Sequence, residues 1–69
     1  MACEEKQRLG SEYELATKKF SKAVSELHQK IVTSSKAEYD RLARVADETR
    51  VKSEQARLAL EQHVAAHRC

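Results

Sequence analysis

With 69 residues, 41% of them hydrophobic, 4% aromatic and none of them Trp, the chain has room for one domain and little material for a conventional globular core. Charged residues make up 35% and the net charge is +2, with acids and bases closely interleaved; this excludes the one-signed surface that nucleic acid or an anionic membrane asks for. There is no Pro and a single Gly, so the only punctuation is the polar stretch Thr33-Ser34-Ser35-Lys36-Ala37-Glu38.

The first element is a helix expected over about residues 3–32. Leu9, Tyr13, Ala16, Phe20, Ala23, Leu27 and Ile31 recur in steps of four and three, which is a heptad seam, and Val24 widens it. Carried backward, the same spiral reaches Lys6 and Ala2, so the seam weakens toward the start. Gly10 costs ~1 kcal/mol relative to Ala inside a helix. The periodicity resumes on either side of it, and the helix is expected to run through. The outer face carries Glu4, Arg8, Glu14, Lys18, Lys22, Glu26 and Lys30. Glu4–Arg8, Glu14–Lys18 and Glu26–Lys30 are four apart with the acid first, each adding ~0.3 kcal/mol to the helix.

A turn is expected at about 33–35. Ser35 followed by Glu38 has the spacing of a capping box. The serine hydroxyl accepts the Glu38 N–H, and the Glu38 carboxylate reaches back to the Ser35 N–H. The second helix then runs over about 36–67. Tyr39, Leu42, Ala46, Thr49, Ser53, Ala56, Leu60 and His63 form its seam, with Val64 beside them. It is smaller and more polar than the first. Folding back about Ser34 sets Phe20 near Ala46 and Thr49, and Tyr13 near Ser53 and Ala56, large against small. Asp40–Arg44 and Glu48–Lys52 are spaced to stiffen the exposed face.

Three apolar residues stand off these seams. Val51 and Leu58 lie opposite Leu42 and Leu60 on the helical wheel, and Leu15 is off the seam of the first helix. Scattered exposed apolar residues are ordinary. A lone two-helix seam, however, buries too little apolar surface to offset the entropy of ordering the chain. Leu15, Val51 and Leu58 are therefore read as an interface. The expected fold is all-α: a two-helix antiparallel coiled-coil hairpin over residues 1–69, pairing into a homodimeric four-helix bundle.

The open end of such a hairpin gathers Cys3, His63, His67 and Cys69. Two sulfurs and two imidazole nitrogens suit tetrahedral zinc, and His63 and His67 share a face. The spacing lacks the C-x2-C of many structural sites. The same cysteines allow a Cys3–Cys69 disulfide, worth roughly 4 kcal/mol by loop closure, or free thiols, or pairing between chains. Site and disulfide alike require the last turn to fold back. No cofactor other than zinc is suggested. Cys and His are also a nucleophile–base vocabulary, but no orienting third group, oxyanion hole or Gly-rich phosphate loop accompanies them, so no enzymatic activity is expected. His28 stands alone near the turn.

Lys18, Lys19 and Lys22 are the densest basic cluster, with Arg41, Arg44 and Arg50 on the second helix. Glu14, Glu26, Asp40, Asp47 and Glu48 interrupt them, and no aromatic platform serves bases, so no nucleic-acid partner is expected. No apolar run approaches the ~18 residues of a membrane span. The start, Met-Ala-Cys-Glu-Glu, has neither the basic nor the apolar part of a secretory signal. The expected compartment is the cytoplasm, where disulfides are unusual.

Ser34-Ser35-Lys36-Ala37-Glu38-Tyr39 and Lys52-Ser53-Glu54-Gln55-Ala56-Arg57-Leu58-Ala59-Leu60-Glu61, with a cysteine near each terminus, resemble short uncharacterised bacterial helical-hairpin proteins. The resemblance covers nearly the whole chain and implies architecture alone, since no activity attaches to that group. Secreted WXG-type hairpins differ, because their turn carries Trp-x-Gly and this one has neither. The functional expectation is a small non-enzymatic interaction or structural module, with a protein partner or a second copy. A metal- or redox-responsive switch at the open end is the alternative, and nucleic-acid binding through the lysine cluster the weakest one.

Overall fold

The computed structural model describes residues 2–67 of the backbone and the side chains of residues 4–66. Two α-helices, α1 (Ala2–Lys30) and α2 (Lys36–His67), are joined by a short turn and pack along their length as an all-α hairpin. The molecule is a rod of 50 × 13 × 11 Å.

α1 stops at Lys30, two residues short of the sequence expectation. Ile31-Val32-Thr33 is a run of β-branched residues, each poorly suited to a helix interior. At Thr33 the backbone leaves the α pattern, its N–H bonding three residues back rather than four. The Lys30 carbonyl accepts the Thr33 N–H at 3.3 Å and the Ser34 N–H at 2.9 Å, and the Ser34 hydroxyl at 2.6 Å. These donors close the end of α1. Ile31 therefore leaves the seam to which its spacing assigned it, and Val32 is 89% exposed.

Ser35 starts α2. Its carbonyl accepts the Tyr39 N–H at 2.9 Å, and its hydroxyl accepts the Glu38 N–H at 3.2 Å, the first half of the capping box. The second half is replaced by a longer reach. Glu38 directs its carboxylate at Lys30, 3.7 Å from the ammonium, and so links the last residue of α1 to the first turn of α2.

The seam follows the heptad pattern. Leu9, Tyr13, Ala16, Phe20 and Leu27 on α1 are half-buried, as are Tyr39, Leu42, Thr49, Ala56, Leu60 and His63 on α2. The buried ones among the described residues are all small: Ala23, Ala46 and Ser53 are each under a tenth exposed. Backbones that approach at alanine and serine leave the larger side chains to flank the contact rather than fill it. Among the described residues no side chain is fully enclosed. Thr17 and Ser53 share a hydroxyl–hydroxyl bond of 3.3 Å across the seam. Ser35 lies midway between them in sequence, so the register is centred within a residue of the expected Ser34.

Arginine dominates the surface ion pairs. Arg8 is held by Glu5 and, at 2.8 Å, by Glu12. Arg50 spans Asp47 at 2.9 Å and Glu54 at 3.0 Å, and Arg57 meets Glu61 at 2.8 Å. Of the acid-first pairs expected from spacing, only Glu14–Lys18, at 3.2 Å, is formed among the described residues. A guanidinium fork reaches a carboxylate a turn ahead as readily as one behind, which is why Arg8 takes Glu5 and Glu12 rather than Glu4.

Candidate functional site

Besides the exposed Val24, Ile31, Val32 and Val64, the hairpin leaves two apolar features open. The first is on α2. Val51 and Leu58 are seven residues apart, which is two helical turns, and share the face directed away from α1. They are 38% and 46% exposed, against 8% for Ala46 and for Ser53 on the seam of the same helix. One edge of this stripe is ordered by the Asp47–Arg50–Glu54 clamp and the Arg57–Glu61 pair. Glu48 lies on the other edge with no ion-pair partner among the described residues. In both Arg8 and Arg50 the guanidinium is pushed above the usual arginine range. For Arg50 the hydrogen bond it donates to Asp47 is the largest cause, followed by the charges of Glu54 and Asp47. For Arg8 the hydrogen bond to Glu5 leads.

The second feature is an open groove of ≈ 230 Å³ along one flank of the hairpin, lined by Glu12, Leu15, Ala16 and Lys19 of α1 and by Thr49 and Lys52 of α2. Leu15 is 58% exposed at its wall. Thr49 gives its hydroxyl proton to the carbonyls of Val45 and Ala46, both at 2.9 Å, and so offers the groove little polarity. Arg8 holds Glu12 at the edge. Lys19 and Lys52 have no ion-pair partner among the described residues, so the groove has an apolar floor and a cationic rim. Val45, seven residues before Lys52, prolongs the same flank and is exposed. Sequence reasoning marked Leu15 but missed the groove. A depression between helices depends on small residues, here Ala16 and Thr49, falling at one level of both chains.

The structure places Leu15 apart from Val51 and Leu58: they occupy different faces of the rod rather than a single patch. Cys3 and His67 belong to α1 and α2 respectively, at the end of the hairpin away from the turn. The side chains of Cys3 and His67, and the whole of Cys69, lie outside the described residues, and with them both the Cys3–Cys69 disulfide and the zinc site. His63 is half-buried on the seam. Among the described residues no group of three or more metal-capable side chains converges. In the basic cluster, Lys18 is paired to Glu14 and Lys19 belongs to the groove rim. No helix in the described residues is long and apolar enough to cross a membrane.

Comparison with known protein families, with curated proteins and with solved structures finds no match to this chain.

Proposed function

We propose that the chain is a non-enzymatic helical interaction module, a hairpin that completes its core by packing against further helices, with a homodimeric four-helix bundle as its smallest assembly. The observation that carries this reading is the surface balance. The hairpin exposes 5407 Å², where a compact monomer of its 7.9 kDa mass would expose ~4,400 Å². The excess of ~1,000 Å² is comparable to the ~800 Å² each partner buries in an interface of standard size. Val51 and Leu58 sit in that excess, opposite the seam, where they do nothing for the hairpin itself.

Replacing Val51 and Leu58 together with Glu tests the proposal by light scattering. The substitutions are at exposed helical positions and leave the seam untouched. The wild type is expected above monomer mass and the double variant at monomer mass; an unchanged oligomer in the variant would overturn the role of the stripe.

A second reading rests on the topology, which brings the first turn of α1 and the last turn of α2 to the same end. There Cys3, His63, His67 and Cys69 would act as a metal- or redox-responsive switch. Thiol titration with and without reductant, together with metal analysis of the purified protein, decides it. Two reactive thiols and no bound metal in either state would remove it.

A further inference from the structure

We propose that association is head-to-tail: the Val51–Leu58 stripe of one copy seats in the Leu15–Ala16–Thr49 groove of the next. This deepens the interaction-module reading and rests on it, with an open head-to-tail contact in place of the closed homodimer.

The two surfaces match in length. Val51 to Leu58 spans about 10.5 Å at 1.5 Å per residue, and so does the α1 wall of the groove from Glu12 to Lys19. They match in charge. The stripe is bordered by Asp47, Glu48, Glu54 and Glu61 against Arg50 and Arg57, an excess of acid, with Arg44 beyond its end. The groove rim presents Lys19 and Lys52, which have no ion-pair partner among the described residues, against a single acid, Glu12, and so has an excess of base. A carboxylate that holds one guanidinium still has lone pairs for a lysine.

The symmetric alternatives are poorer. Groove against groove brings Lys19 and Lys52 of one copy toward those of another, a like-charge juxtaposition. Stripe against stripe sets acidic borders against each other and leaves Leu15 and the groove uncovered. Stripe in groove covers both apolar features in one contact and pairs acid with base.

The contact is heterologous, so its geometry has a consequence. Groove and stripe lie on different faces of one hairpin, and each docked copy still presents a free groove or a free stripe. Such contacts extend until they close into a ring or form a fibre.

Complementation tests this. Leu15→Glu spoils the groove and keeps the stripe; Val51→Glu with Leu58→Glu spoils the stripe and keeps the groove. Each variant alone is expected to lose association and run as a monomer in light scattering. Mixed in equal amounts, they are expected to form a one-to-one pair and nothing larger, because the mixture holds one working stripe and one working groove per pair. Isotope labelling of one variant and native mass spectrometry identify the pair. Lys19→Glu with Lys52→Glu is a second groove variant, at exposed positions that suit a helix. It gives the same test should Leu15→Glu disturb folding, as judged by circular dichroism. If the groove variants associate as the wild type does while the stripe variant is monomeric, the contact is stripe to stripe; the docking is then wrong and the interaction module stands. If each variant is monomeric and the mixture also stays monomeric, the docking is overturned. A wild type that is monomeric at every concentration overturns both.

Discussion

Gly10 stands inside α1, and a Cβ placed on it meets nothing within 4 Å. The helix therefore carries the entropic cost of glycine with no packing reason for it. Gly10→Ala is expected to stabilise the hairpin by about 0.5–1 kcal/mol, read as a higher urea midpoint at fixed protein concentration. Ala46 is the opposite case. It is one of the buried small residues over which the helices approach, and the isopropyl group that leucine adds has nowhere to go but into α1. Ala46→Leu is expected to cost about 1–3 kcal/mol, despite the gain in hydrophobicity, in the same urea measurement. A stabilised Ala46→Leu variant would show that the seam has unused volume. The arginine clamps belong to a different class. Raising the pKa of a base adds stability that is complete below its unfolded value and lost only as pH climbs past the folded one. For Arg8 and Arg50 that window lies beyond the alkaline range in which proteins are handled. These exposed pairs answer to salt rather than to pH.

At the scale of the element, the turn decides the fold, and its chemistry is divided between two serines. Ser34 closes α1 on the Lys30 carbonyl, and Ser35 opens α2 on the Glu38 N–H. Removing the second hydroxyl strands a helix N–H, so Ser35→Ala is expected to destabilise the hairpin by ~1 kcal/mol, measured by thermal unfolding. Helix content should persist, because the seam remains. The same region shows where sequence reading succeeds and where it stops. The seam was legible because heptad spacing is a property of the chain alone: Phe20, Ala23, Ala46 and Ser53 face inward for the reason their spacing gives. The exit of α1 was not. Ile31 continues the apolar period, and only the Thr33 N–H and the Ser34 hydroxyl, both turned to the Lys30 carbonyl, show that the helix has ended. Ion pairing was the least legible feature, since spacing names several acids for each base, and side-chain reach chooses among them. The exposure of Leu15, Val51 and Leu58 could be read from the wheel. The groove beside Leu15 could not, because it exists only once two helices share a register.

For the whole molecule the question is whether a rod this thin is finished. Its radius of gyration is 15.6 Å, against ~11 Å for a compact domain of the same length. A rod exposes more of itself than a sphere, and here the residues that meet across its axis are alanine and serine. Little apolar side chain is withdrawn from water, so part of the stability should come from other copies. Association and unfolding are then linked, and the melting temperature depends on protein concentration. For a dimer of hairpins, tenfold dilution changes the balance by about 1.4 kcal/mol, which corresponds to a fall of about 5 °C in Tm. The Val51→Glu, Leu58→Glu variant should melt lower and show no such dependence, since its unfolding involves one chain only. Circular dichroism melts over a wide range of concentration check both. A wild-type Tm that stays constant across that range would mean that the thin seam of Ala23, Ala46 and Ser53, with its half-buried flanks, holds the hairpin together unaided.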